Sequence, residues 1–127
     1  MHIHLFSFGF SRGPAEADYV FDLRFLPNPF WVPDLRPHPG THPEVADYVL
    51  NQPETRAFLE VLEPLLVHLA AAWTKNGRKP ELRIALGCTG GFHRSVALTE
   101  HLADRLEELG YEVERGHRDM AGQMRGT

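Results

Sequence analysis

The chain has 127 residues, 43% apolar and 24% charged, the balance of one ordinary globular domain spanning 1–127. A net charge of −4 excludes a generic polyanion binder, and a single cysteine, Cys88, excludes a disulfide framework and a four-cysteine zinc site. No stretch reaches the ~20 apolar residues of a membrane helix, and Met1-His2-Ile3-His4 does not open a secretory signal, so the expected setting is cytoplasmic, with no membrane partner.

Residues 3–8 alternate as a short strand that Gly9 and Gly13-Pro14 end. Residues 19–23 read as a second, largely buried strand. From Arg24 to Gly40 there are five prolines in seventeen residues, which predicts a long ordered loop. Loops of that length in compact domains usually carry function. Pro43–Leu50 predicts a short helix with proline at its first position. A longer helix starts at Pro53, with Phe58, Leu59, Leu62, Leu65, Leu66 and Leu69 as its core face, a kink expected near Pro64 and a stop at Asn76-Gly77. Residues 82–87 read as a third strand and Ser95–Leu109 as the clearest helix, closed by Gly110. Residues 111–115 read as a fourth strand, and the tail from Ala121 to Thr127 as frayed. Strand, helix, strand from 82 to 115 is a βαβ unit, which requires parallel strands. The expected fold is therefore α/β, a small, mostly parallel, Rossmann-like sheet of about four strands flanked by helices.

The turn Gly87-Cys88-Thr89-Gly90-Gly91-Phe92-His93-Arg94-Ser95 joins the third strand to the best helix. Glycines let backbone N–H groups converge, and a helix N-terminus adds unpaired donors and positive potential. Together they predict an anion cradle, with Arg94 forking onto two oxygens of a tetrahedral anion and His93 donating beside it. In an open parallel sheet ligands bind beyond the carboxyl ends of the strands. That rule gathers Asp22, Arg24 and Asn28 with the turn, and Arg12, Arg36, Arg115, His117 and Arg118 as a rim. Eleven of the thirteen basic residues are arginines, so a basic mouth is compatible with the negative total. His2 and His4 share a strand face and with His117 could make three metal ligands. No carboxylate is fixed to them by spacing, so they read as structural histidines, with no metal and no cofactor expected. Phe25, Phe30 and Trp31 read as anchors of the proline-rich loop.

Cys88 and Arg94 also fit Cys-x-x-Gly-x-x-Arg-Ser, which resembles the phosphate loop of cysteine-dependent phosphatases. The enzyme reading makes Cys88 a nucleophile activated by the helix terminus and Arg94 the clamp on the phosphoryl oxygens. Gly87 replaces the histidine usual before that cysteine. The general acid is not singled out, with Asp22, Asp34 and Asp119 candidates by elimination.

Taken in order, Phe6-Ser7-Phe8-Gly9-Phe10, Val20-Phe21-Asp22-Leu23-Arg24-Phe25-Leu26-Pro27-Asn28-Pro29, Trp31-Val32-Pro33-Asp34-Leu35-Arg36-Pro37, Gly87 to Val96 and His117-Arg118-Asp119 resemble the C-terminal domain of the RapZ family, the RNase adapter and nucleotide-binding proteins of bacteria. The resemblance covers roughly residues 3 to 119. It implies a regulatory binding module for a phosphorylated small metabolite of the amino-sugar phosphate class, or an inorganic anion, and for regulatory RNA. The implied anion-site positions are Cys88, Thr89, Gly90, Gly91, His93 and Arg94. Full-length members carry an N-terminal P-loop domain. No Gly-x-x-x-x-Gly-Lys-Ser/Thr occurs here, so nucleotide hydrolysis is not carried over; the alternatives are a fragment, a paralogue with a separate partner protein supplying that domain, or one half of a split system, with self-association a further alternative. Phe30 stands where the family commonly has His, and a Lys/Arg-rich RNA-binding tail is weak. Binding is preferred over catalysis because the general acid is missing and the family resemblance points to a module.

Overall fold

The computed structural model describes residues 1–121. Four strands, β1 (His2–Gly9), β2 (Tyr19–Asp22), β3 (Glu81–Cys88) and β4 (Glu112–His117), form one all-parallel sheet in the order β2-β3-β1-β4. Three helices accompany it: α1 (Pro43–Leu50), α2 (Pro53–Asn76) and α3 (Arg94–Glu108). The α/β, Rossmann-like class read from the sequence is the observed one. The tail residues 122–127 lie outside the described residues.

Alternation in β1 and β3 decides which face is covered. Ile3 and Leu5 pair in register with Leu82 and Ile84, and all four are buried against Val45 and Val49 of α1, Leu59, Leu62, Leu66 and Ala70 of α2, and Leu98, Leu102 and Leu106 of α3. The three helices therefore share one face of the sheet. The opposite face carries His2, His4, Phe6 and Arg83, half-buried, and Val20, exposed. Among the described residues only the β1–β2 connection crosses that face: Phe10 packs edge-on against Phe8, and both rings crowd the space over Gly87.

Helix ends follow their signals. The His42 side chain accepts from the Glu44 N–H ahead of α1, Pro43 and Pro53 open α1 and α2, and Gly77 closes α2 in the left-handed region at φ 75°. The α2 helix runs as one element through Pro64. By length and composition α2 is apolar enough to cross a membrane, with mean hydropathy 1.3 over its most apolar 18 residues, which corrects the reading that no stretch approaches a span. Its inward leucines belong to the common core of the domain, while Val61 and Leu65 on its outer side are exposed.

Two boundaries differ from expectation with consequence. The third strand extends through Cys88, and the fourth runs to His117 instead of stopping at Arg115. Both extensions come from pairing with β1, which continues to Gly9 opposite Cys88 and carries Ser7 opposite His117.

Candidate functional site

The carboxyl ends of β1 and β3 lie side by side, and their onward connections leave on opposite faces of the sheet, which is where ligand crevices form in open α/β folds. The turn after β3 fills this point. It fits only because two glycines face each other. A Cβ on Gly9 would stand 2.3 Å from the Gly90 carbonyl carbon, and one on Gly91, whose φ is +75°, would stand 2.6 Å from Gly9 N. The turn is held from both flanks, by Ser11 N–H donating to Thr89 O at 2.9 Å and Gly40 N–H donating to Phe92 O at 2.8 Å. The backbone N–H groups of Gly90, Gly91 and Phe92 donate to no acceptor among the described residues. They sit at the N-terminus of a fifteen-residue helix, α3, where positive potential is greatest.

Arg94, only 3% exposed, is the first residue of α3. Its Nη1 donates to the carbonyls of Arg24 and Leu26, each at 3.0 Å, and its Nη2 approaches Thr89 Oγ1 at 3.5 Å. Its Nε has no acceptor although it is buried. One edge of the guanidinium thus holds the proline-rich loop, and the Nε–Nη2 edge, the edge that forks onto oxyanions, is left nearly unsatisfied. Burial lowers the Arg94 pKa, opposed by the neighbouring Cys88 and Asp22. Cys88 is fully buried, with Sγ 3.1 Å from Ser95 Oγ and 3.4 Å from the Ser95 N–H that donates to it. Sulfur here takes the place of an N-cap oxygen for α3.

The other predicted residues divide between those at the mouth and those turned from it. Asp22 and Arg24 form a forked pair, with Arg24 Nη2 donating to Asp22 Oδ2 at 2.6 Å and Arg24 lying 4.0 Å over the Phe10 ring. The Arg24 hydrogen bonds hold the Asp22 carboxyl below its ordinary pKa, against the opposing effect of its partial burial. Asn28 is buried and caps the turn Pro29–Trp31, accepting from Phe30 N–H at 3.0 Å. The His93 ring is fully buried and faces the carbonyls of Arg36, at 3.0 Å, and His38. Burial lowers its pKa, and the two carbonyls act the other way. The ring of His93 fastens the proline-rich loop instead of meeting the turn's amides. Phe30 lies under Arg36, whose Nε donates to the Phe30 carbonyl at 2.6 Å.

Of the rim, Arg12 makes no hydrogen bond or ion pair among the described residues. Arg118 clasps the β1–β2 connection, donating to the carbonyls of Gly13 at 2.8 Å and Pro14 at 2.6 Å, and pairs with Asp119, whose Oδ2 accepts from Gly9 N–H at 2.8 Å. Arg115 is not at the mouth. Because β4 continues past it, its side chain points to the helical face and meets Glu100 and Asp104, at 2.9 and 2.8 Å, and Glu107 on α3. Burial works against the charged form there, and the carboxylates outweigh it, so its pKa is raised. His117 lies on that same face, with Nδ1 2.7 Å from Ser7 Oγ and Nε2 2.6 Å from Glu100 Oε2. The three histidines His2, His4 and His117 therefore do not converge. Glu100, which joins His117 and Arg115, escaped the sequence reading because only tertiary packing of α3 on β4 brings it there.

Known proteins bear on this geometry. A nucleotide-binding protein of Anaeromyxobacter sp. (strain K) is 56% identical over 119 residues, 93% of this chain and 40% of that protein. One of Trichlorobacter lovleyi is 52% identical over 119 residues, again 93% of this chain and 41% of the relative. One of Nocardioides sp. is 48% identical over 121 residues, 94% of this chain and 40% of the relative. The chain thus spans about two-fifths of the length of these curated relatives. The RapZ C-terminal domain family matches residues 1–121, the whole of the described fold including the glycine turn and the ends of all four strands, and the chain belongs to that family.

Proposed function

We propose that this domain is a binding module that captures the phosphate of a small phosphorylated metabolite, of the amino-sugar phosphate class, on the turn Cys88–Ser95. The observation that carries the reading is that the Nε of a buried guanidinium and the three backbone N–H groups ahead of it at a helix N-terminus find no acceptor among the described residues. A buried donor without a partner costs about 1–3 kcal/mol, and an oxyanion within its reach removes that cost. Thr89 Oγ1 and the Gly90–Phe92 amides supply neutral donors, and Arg94 supplies charge. The ionised Asp22 at the same mouth offers an acceptor for the ammonium or hydroxyl groups of a sugar, and Arg24 orients it.

Binding is favoured over turnover by two features. Asp22 has its pKa held down, so it is ionised near neutrality and cannot protonate a leaving group. Asp119 is engaged by Gly9 N–H and Arg118. A small metabolite is favoured over RNA because Arg36 and Arg118 are spent on carbonyl or carboxylate acceptors and Arg115 lies elsewhere, leaving no row of free cations for a polyanion among the described residues.

Calorimetry with inorganic phosphate, a hexose phosphate and the matching hexosamine phosphate tests this reading. Saturable binding without release of phosphate is expected, tightest for the hexosamine phosphate, lost in Arg94→Ala and kept in Cys88→Ser. Hydrolysis of an aryl phosphate that disappears in Cys88→Ser overturns the module in favour of a cysteine phosphatase. Binding of RNA that weakens steeply with salt, without metabolite binding, overturns the ligand class.

A further inference from the structure

The amino end of the sheet, on the face without helices, gathers a second group of side chains. His2 and His4 project from β1 on that face, and β4 runs beside it with Glu112 opposite His2 and Glu114 opposite His4. Glu81 of β3 stands opposite His2 on the other side. Glu114 reaches both rings, with Oε2 3.4 Å from His4 Nδ1 and Oε1 3.8 Å from His2 Nε2. The ligand atoms of His2, His4 and Glu114 all lie within 4.8 Å of one another. The remaining ring nitrogens face outer carboxylates, His4 Nε2 at 3.3 Å from Glu81 and His2 Nδ1 at 3.6 Å from Glu112.

We propose that His2, His4 and Glu114 form a binding site for one divalent ion of the zinc class, with Glu81 and Glu112 orienting the two imidazoles. The Glu114–imidazole separations are longer than the about 2.7–3.2 Å of ordinary hydrogen bonds, while the two rings pack edge to face with centroids 4.9 Å apart, so the carboxylate faces both rings without closing on either. Donors of a tetrahedral zinc ion, with bonds of about 2.0–2.2 Å, stand roughly 3.4 Å apart, which the His4–Glu114 separation already matches. Two imidazoles and one carboxylate select zinc, cobalt or nickel over magnesium or calcium. Each ring also has the arrangement found around bound metals, one nitrogen toward the ion and the other N–H toward a carboxylate that fixes its tautomer. Three carboxylates stand around the two imidazoles, a concentration of acidic groups that a divalent cation offsets. A hollow of about 250 Å³ lined by His4, Phe6, Arg83, Glu114 and Gly116 adjoins the triad and gives a fourth position room for water. The site ties the edge strand β4 to β1, five residues and roughly 17 Å down the strand from Gly9, so it is independent of the anion turn.

The untagged chain, titrated with zinc by calorimetry and with cobalt by visible absorption, provides the test. One ion per chain is expected, with cobalt bands of the intensity of a four- or five-coordinate site. His4→Gln and Glu114→Gln should each weaken zinc by at least ~100-fold, and the outer Glu81→Gln by about 10–100-fold. Glu114 is exposed on an edge strand, and circular dichroism of Glu114→Gln, together with its phosphate binding, reports that the fold is intact. The stacked pair His38 and His42, with ring centroids 4.2 Å apart, is the rival chelate, and the double variant His38→Gln/His42→Gln should bind zinc normally. Absence of stoichiometric binding, binding untouched by His4→Gln and Glu114→Gln, or binding lost with the His38/His42 pair overturns the proposal.

Discussion

The two ends of β1, proposed here as sites for opposite charge, are built by opposite means. At Gly9 the donors are backbone amides, immobilised by a glycine pair that admits no Cβ and by flanking strands and loop. At His2 and His4 the donors are side chains on a partly open face, free to move onto an ion. The first arrangement is held rigid by tight packing before any ligand arrives. The second is assembled by strand register, and its cost is the ordering of side chains. Rigidity and anion affinity should therefore fail together at one end, whereas at the other the ligand can be lost with the fold intact.

The sharpest break in that contrast is Gly9→Ala, whose new Cβ would meet the Gly90 backbone at 2.3 Å. A loss of about 3 kcal/mol or more in urea-unfolding stability is expected, together with loss of phosphate binding. Arg94→Ala should cost about 2–4 kcal/mol, because the Arg24 and Leu26 carbonyls lose a charged donor, and should abolish anion binding. Arg94→Lys separates the two roles: most of the stability should return while phosphate affinity stays at least ~10-fold weaker, since an ammonium does not fork. A wild-type affinity in Arg94→Lys would mean that the amides alone do the work.

Smaller effects sharpen the picture. Zinc at a hundred times its dissociation constant should raise wild-type stability by about 2.7 kcal/mol, and Glu114→Gln should lose that increment in a thermal scan without losing the apo-protein melting temperature. The buried His93 has its pKa lowered from 6.5, so the unfolded chain takes up the proton first as pH falls. Its contribution is constant above that value and is lost as pH falls below it, toward the depressed folded pKa. Urea midpoints of wild type and His93→Gln at pH 7.5 and 5.5 should show the smaller acid loss in the variant. Arg24→Ala, an exposed residue paired with Asp22, should change stability least and weaken phosphate only a few-fold.

Much of the framework was legible because glycine and proline punctuate it. Gly9, Gly13-Pro14, Pro43, Pro53 and Asn76-Gly77 mark element ends that the structure keeps, and the glycine turn before α3 was readable from its own nine residues. Where sequence reading ran out, the missing information was tertiary. A strand ending at Arg115 would place its side chain at the edge, which is why the sequence alone puts it at the mouth. Pairing with β1 carries β4 two residues further, so Arg115 sits inside the strand and facing α3. His93 was read as an anion donor, and only the path of the proline-rich loop shows its ring held by Arg36 and His38 carbonyls. Glu114, more than a hundred residues from His4 in the chain, becomes its neighbour through parallel register alone.

Central placement of β1 between β3 and β4 has a consequence for how this domain can go wrong. A slip of one residue in either pairing would exchange Ile3 and Leu5 for His2 and His4, sending imidazoles into the hydrocarbon interior and aliphatic groups to water. The same slip would pull Gly9 out from beneath Gly91. Misregistered chains would thus be penalised by solvation and sterics at once, a built-in proofreading of the eight-residue strand that carries both proposed sites.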